Sequence, residues 1–313
     1  MIPLEWLFEA AERIAPHILH TPLYCLPNND IYLKLENHQV TGSFKTRGAI
    51  NKVLTLQDWE RKLGLVAASA GNHGQGVALA GNLVNAKATI FASEHAVPAK
   101  IEAMRALGAE VHLVQGGYGE AELAGLAYAK ENGAIWISPY NDGQVIAGQG
   151  TLGLEIGKDL PLQQGSTWVV PAGGGGLVAG IGVAIQNLNP RPQLVAVQSE
   201  ASSFLYNLYH RNTQADVIEL ESLADGLAGP VEEGSLTIPM VKKYVDDFVL
   251  VSEEEIYRAI ADAWQQYHER IEGSAAVALA AVLYGKVNKR PVVVVISGGN
   301  IQPEIHKKII GGG

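Results

Sequence analysis

Short β-branched runs alternate along this chain with Ala- and Leu-rich segments of helical period, and that alternation is the sequence form of a parallel sheet covered by helices. Nine such runs stand out, at 31–35, 65–69, 88–91, 110–114, 134–137, 167–170, 193–198, 248–251 and 292–296. Nine strands suit two sheets better than one. The four between 65 and 137 recur at short, regular intervals with one helical segment between each pair, such as 99–107 and 120–131, so they read as an α/β unit of their own. Segments before and after that unit must pair with each other to complete a second sheet. The expected organisation is a small unit, 48–147, inserted into a larger one made of 1–47 and 148–310, with the ligand in the cleft between them. From 210 to 247 the periodicity weakens, and Gly226, Gly229, Pro230 and Gly234 predict a long loop. The terminal Gly311, Gly312 and Gly313 read as frayed.

The chain has 313 residues, 47% of them hydrophobic, enough to bury one large core or two moderate ones. Its 23 basic and 32 acidic residues give a net charge of −9, and the basic ones are scattered rather than striped, which argues against nucleic acid as a partner. Cys25 is the single cysteine, and no secretory leader pattern opens the chain, so a reduced, cytoplasmic setting is expected. No apolar stretch approaches the roughly 20 residues of a membrane span.

Chemistry is expected in three glycine-rich turns, each at the carboxyl end of a predicted strand. Gly173, Gly174, Gly175 and Gly176 separate the 167–170 strand from a helix with apolar residues at 177, 181, 184, 185 and 188. Bare backbone N–H groups ahead of a helix dipole suit a dianionic phosphate and need no lysine or arginine. A close packing turn would explain one or two glycines better than four. Gly174, Gly176 and Ala179 also match G-x-G-x-x-A, with Glu200 after the next strand, so a dinucleotide is the competing ligand. No Walker A signature occurs. A second turn carries Ser69, Ala70, Gly71, Asn72 and His73, and could wrap a carboxylate or a ring hydroxyl, or simply cap a helix through Asn72. The third, Ser297, Gly298, Gly299 and Asn300, puts a hydroxyl at the tip of the most apolar strand.

Lys45 is the remaining piece. It follows Thr41, Gly42, Ser43 and Phe44 and precedes Thr46 and Arg47, a setting that positions an amine for Schiff-base chemistry. The plain alternative is a helix start capped by Ser43 with Lys45 in solvent. An imine-forming lysine, a phosphate cradle, an amide-rich turn and a strand-end hydroxyl together suit pyridoxal 5′-phosphate (PLP). On these motifs, in this order from Thr21-Pro22-Leu23 to Ser297-Gly298-Gly299-Asn300, the chain resembles the fold-type II pyridoxal-phosphate enzymes. Its likeness is greatest to the threonine (serine) dehydratase and serine racemase branch.

The resemblance implies two open, twisted, mainly parallel sheets flanked by helices, and a homodimer. It implies that Lys45 holds the cofactor as a Schiff base and then acts as base on Cα, with Phe44 packed near the ring. Asn72 would bond the ring hydroxyl, and Ser69, Ala70, Gly71, Asn72 and His73 would grip the substrate carboxylate. Gly173, Gly174, Gly175, Gly176 and Leu177 would hold the phosphate, Ser297 would partner the pyridine nitrogen, and Glu272 would lie near the cofactor. Glu272 at a helix start is also a capping residue. Gly226, in Asp225-Gly226-Leu227, would line the substrate side, and the Gln149-Gly150-Thr151 segment with Glu155 matches another stretch at the junction of the two units. A serine facing the pyridine leaves that nitrogen largely unprotonated, which favours elimination.

The implied activity is loss of water from L-threonine or L-serine, giving 2-oxobutanoate or pyruvate plus ammonia. Hydroxyaspartate and phenylserine dehydratases would share the same motifs. Racemase-like members place a hydroxyl where this chain has Ala70, which disfavours two-sided proton exchange. They also carry carboxylates for a divalent cation where this chain has Gln198 and Phe204, so no metal is expected, with Glu200 as the one alternative ligand. A C-terminal effector-binding domain is not expected either.

Overall fold

The structure, a computed structural model, describes residues 1–27, 30–160 and 165–311. In chain order the first elements are α1 (Glu5–Ile14), β1 (Leu23–Cys25), β2 (Ile31–Leu35), α2 (Lys45–Thr55), α3 (Asp58–Lys62), β3 (Leu65–Ala68) and α4 (Asn72–Leu83). There follow β4 (Ala88–Ser93), α5 (Pro98–Ala106), β5 (Glu110–Val114), α6 (Tyr118–Asn132), β6 (Ile135–Trp136) and α7 (Gly143–Asp159). Next come β7 (Thr167–Pro171), α8 (Gly176–Ala184), β8 (Gln193–Ser199), α9 (Phe204–Arg211), α10 (Thr237–Tyr244) and β9 (Asp247–Val251). The chain closes with α11 (Glu253–Tyr267), α12 (Gly273–Leu283), β10 (Val292–Ile296) and α13 (Pro303–Gly311). Gly311 ends α13, and Gly312 and Gly313 lie outside the described residues.

Two sheets form. One, ordered β5-β4-β3-β6, is parallel throughout. The other, ordered β1-β2-β10-β7-β8-β9, is parallel except for β1, which pairs antiparallel with β2 at the edge. The strand β1 has three residues directly after Pro22, too few to display a period. The expected long loop is also corrected in part, because α10 lies within it. Pro239 falls in the first turn of that helix, where no intrahelical N–H bond is lost.

All five residues of β10 are buried, as is every residue of α12 up to Val282. A helix apolar all round must be covered on all sides. Strand β10 therefore sits in mid-sheet between β2 and β7, and its carboxyl end opens where the two sheets meet.

Helices α2 and α7 cross where the chain passes between the sheets, and they touch backbone to backbone. A Cβ at Gly148 would lie 2.7 Å from the Cα of Gly48 and 2.6 Å from the carbonyl oxygen of Arg47. Beside this crossing Arg47 is fully buried and donates to Glu36 (Nε–Oε2 2.8 Å, Nη2–Oε1 2.8 Å) and to Glu155 (Nη1–Oε1 2.7 Å). Lys34, equally buried, donates to Glu155 at 2.7 Å and to the carbonyl of Thr21. Lys34 also lies 3.7 Å from Asp159, a partly exposed carboxylate that His20 meets at 2.6 Å, so each buried cation faces at least one carboxylate, as buried charge requires. Thr151 accepts from Arg47 at 3.2 Å, so the segment at the junction serves as bracing.

Removing one partner of such a cluster strands the others. Arg47→Leu is expected to lower the unfolding free energy by about 3–5 kcal/mol, read as a fall in the urea midpoint of the apoprotein. A loss below about 1 kcal/mol would mean the cluster does not hold the junction.

Candidate active site

Lys45 is the first residue of α2, and the chain leading to it is clamped to the end of β10. Ser43 bridges Gly298, and the N–H of Phe44 donates to the carbonyl of Ser297 at 3.0 Å. Ser43 does not cap the helix, and its buried hydroxyl has no partner among the described residues. The lysine is part-buried, and its Nζ donates to the carbonyl of Pro139 at 3.0 Å, 5.3 Å from the centroid of the Phe44 ring. Burial brings its pKa down to about 8, opposed by the charge of Glu272. The reading of a solvated, capped helix start does not hold.

The 69–73 turn lies at the end of β3. The hydroxyl of Ser69 accepts from the N–H of Gly71 at 3.1 Å, and the N–H groups of Asn72 and His73, at the start of α4, have no acceptor among the described residues. Asn72 does not cap α4. Its amide donates to Glu272 Oε1 at 2.7 Å and accepts from Asn300 Nδ2 at 2.7 Å. Glu272 occupies the N-cap position of α12 without capping it. Its carboxyl turns instead toward Asn72, where burial, then the charge of Asp225, raises its pKa to about 7 while Lys100 opposes the shift. His73 Nε2 donates to the carbonyl of Ile137 at 2.8 Å, which leaves Nδ1 buried and unpartnered among the described residues. Burial, then the nearby Lys45, lowers the pKa of His73 to about 3, so the ring is neutral at physiological pH.

Gly175, at φ +86°, turns the chain into α8. The N–H groups of Gly176, Leu177 and Val178 have no acceptor among the described residues. Packing accounts for the other glycines more fully than the sequence suggested. A Cβ at Gly173 would come within 2.9 Å of Leu227 Cα, and one at Gly174 within 2.3 Å of the Tyr140 ring. At Gly176 it would lie 2.9 Å from Tyr140 Cβ. Tyr140 thus lies on the glycine loop, while the carbonyl of Pro139 beside it takes the lysine. The hydroxyl of Tyr140 accepts from the N–H of Glu232, and Asn141 accepts from Leu236, tying residues 232–236 to the same place.

The other anticipated residues divide. Ser297, at the end of β10, is buried, and no hydrogen bond within the described residues engages its hydroxyl. Leu177 points into the core. Gly226 donates to Ser274, two residues beyond Glu272. Ala70 lies in the 69–73 turn. Gln198 is buried and accepts from Tyr206, and Phe204 belongs to the core. Among the described residues no three His, Cys, Asp or Glu side chains have the geometry of a metal site, and no helix is long and apolar enough to cross a membrane. Sequence reasoning missed Pro139, Tyr140, Asn141 and Lys100. It noted Asn300 without giving it a role, although its place beside Ser297-Gly298-Gly299 was the available signal.

The chain is 44% identical to the L-threonine ammonia-lyase of Thermotoga maritima over an alignment spanning 100% of this chain and 79% of that protein. It is 42% identical to the L-threonine dehydratase catabolic TdcB of Staphylococcus aureus, over 94% and 87%. Among solved structures, maize serine racemase superposes with a TM-score of 0.90 at 28% identity, covering 97% of this chain and 95% of that one. The family model described as pyridoxal-phosphate dependent enzyme matches residues 14–298, and with it the chain belongs to that family.

Proposed function

We propose that this protein is an ammonia-lyase that removes water from L-threonine or L-serine. The observation that carries the reading is the setting of Lys45, a part-buried amine brought down to about pKa 8 and tied through Pro139 and Tyr140 to a glycine loop with unspent N–H donors. The names of the two sequence relatives support threonine as substrate.

The donor set fits PLP. Lys45 offers an amine to its aldehyde, Gly176 and Leu177 offer N–H groups to its phosphate beside Gly173, Gly174 and Gly175, and the free hydroxyl of Ser297 offers a neutral partner to its ring nitrogen. When bound, the cofactor supplies the electron sink for a broken bond at Cα. The protein does the rest. At pH 7 about a tenth of an amine with this pKa is unprotonated, against a few in ten thousand for an ordinary lysine, so Lys45 has a lone pair to accept the α-proton. Asn72 and His73 present free N–H groups at a helix start, which suit the substrate carboxylate. Glu272 and Asn300 fix the amide of Asn72 in one orientation. Loss of the α-proton and the β-hydroxyl removes one water, and the released enamine takes up water to give the 2-oxo acid and ammonia.

The division into units 1–47 with 148–310 and 48–147 is part of this reading. Both cuts fall inside helices, α2 and α7, so the units are joined by rigid elements. A cytoplasmic homodimer is part of it as well, and sedimentation at micromolar concentration is expected to give twice the monomer mass.

Serine racemase activity is the second reading, favoured by the likeness to the maize enzyme and opposed by Ala70, which has no hydroxyl to serve a second proton. Wild-type protein loaded with PLP is expected to release 2-oxo acid from L-threonine and L-serine with little D-amino acid. Rapid D-serine formation without pyruvate would reverse the assignment. Lys45→Ala is expected to lose turnover by several orders of magnitude and to stay colourless. Since the amine must shed its proton before attacking a carbonyl, and its folded pKa lies below that of free lysine, loading of the apoprotein should accelerate as pH rises through about 8. A midpoint near that of free lysine, about 10, would remove the main support.

A further inference from the structure

A cation at the mouth of the cleft has no part in the chemistry above. Lys100, in the first turn of α5, reaches from the four-stranded side to Asp225 on the six-stranded side, with Nζ 3.1 Å from Oδ2. The two ends of this ion pair are unequal. The lysine side chain is 18% exposed, the aspartate 64%. An ammonium has three donors, and Asp225 is the one partner of Lys100 among the described residues. A largely covered cation is ordinarily matched by a well-held anion, whereas a solvated carboxylate at this distance is a weak match.

The other neighbour of the ammonium is the 69–73 turn. A Cβ at Gly71 would lie 3.8 Å from Lys100 Cδ and 3.9 Å from its Nζ. The N–H groups of Asn72 and His73 are free there at the start of α4. An anion in that turn would have backbone donors on one side and an ammonium with unused donors on the other. The same neighbourhood holds two acids: Asp225, paired with Lys100, and Glu272, bonded to Asn72 of the turn. A carboxylate approaching this turn is repelled by the acids and attracted by Lys100 at the mouth, with Lys45 a second cation deeper in the cleft beside His73.

We propose that Lys100 is a specificity-determining residue that recognises the α-carboxylate of the incoming amino acid, and that Asp225 holds it in reserve until the substrate carboxylate replaces Asp225 as its partner. The exchange breaks one ion pair and makes another, so the total of charge contacts is kept while the site gains selectivity for amino acids over amines. This deepens the proposed function and rests on its reading that an amino acid binds at the 69–73 turn. It gives the two residues opposite signs: Lys100 favours binding, and Asp225 competes with it.

The test titrates the holoenzyme with L-threonine and with 1-amino-2-propanol, its analogue lacking the carboxylate, and follows the shift of the visible band to obtain Kd whether or not elimination follows. Lys100→Met is expected to weaken L-threonine binding by about 10- to 100-fold and to leave the amino alcohol unchanged. Asp225→Asn is expected to tighten L-threonine, and Lys100→Arg to restore most of the affinity. Both neutral variants should keep the apoprotein's thermal midpoint within about 2 °C, as for a pair whose carboxylate is solvated. If both variants weaken L-threonine and the amino alcohol alike, or both lower the midpoint well beyond that, the pair is a brace and the proposal is overturned. Absence of 2-oxo acid from wild-type enzyme that still binds L-threonine would sink the lyase reading and leave the carboxylate result to stand or fall separately.

Discussion

A guanidinium sealed from water between two carboxylates fixes the start of α2, and the rest of the site is built outward from it. Arg47 lies two residues after Lys45, so whatever holds the arginine also holds the lysine backbone. Taking each of these ions out of water costs several kcal/mol, recovered only when geometry and stoichiometry are both right. Here geometry is tight: Glu36 is gripped at both oxygens, Glu155 is shared between Arg47 and Lys34, and Asp159 stands at the rim 3.7 Å from Lys34, so neither buried cation is left alone. The cluster draws its members from β2, the turn after it, α2 and α7, which ties both passages between the sheets to one point.

From that point the electrostatics of the cleft follow. Lys45 and His73 are both kept easier to deprotonate by burial and Glu272 is kept harder to deprotonate, so around neutral pH the cleft holds an amine close to its titration point, a neutral imidazole and a carboxyl near half-charge. The amine is still mostly charged at pH 7, but it and the Glu272 carboxyl both titrate close enough to neutrality to exchange a proton, while the imidazole stays neutral. Ser297 adds a hydroxyl with no charge at all.

Much of this was legible in sequence, for reasons that can be named. Strands such as 292–296 and 167–170 are continuous β-branched runs, and runs buried on both faces read plainly. Lys45, Asn72, Gly173, Gly174, Gly175 and Gly176 lie in local motifs whose chemistry is visible one residue at a time. The short edge strand β1 and the helix α10 were hidden, the first by its length and the second by Pro239. Tyr140, Lys100 and Asn141 were hidden for a different reason. Nothing beside them in the chain signals a role, and each acts only through a partner far away in sequence: Gly174 for Tyr140, Leu236 for Asn141, Asp225 for Lys100. The bonds of the Asn72 amide to Glu272 and Asn300, which leave one of its N–H donors unused, are contacts that periodicity does not encode.

The glycine contact between α2 and α7 bears on how such a protein diversifies. With the Cα of Gly48 2.7 Å from where a Cβ of Gly148 would stand, neither helix can accept even a methyl group at the seam. Any growth there would push Lys45, three residues from Gly48, out of line, and displacements of an ångström are enough to cost reactivity. New substrate ranges in descendants of this sequence must therefore arise in the turns around the cleft, where side chains can change without moving the amine.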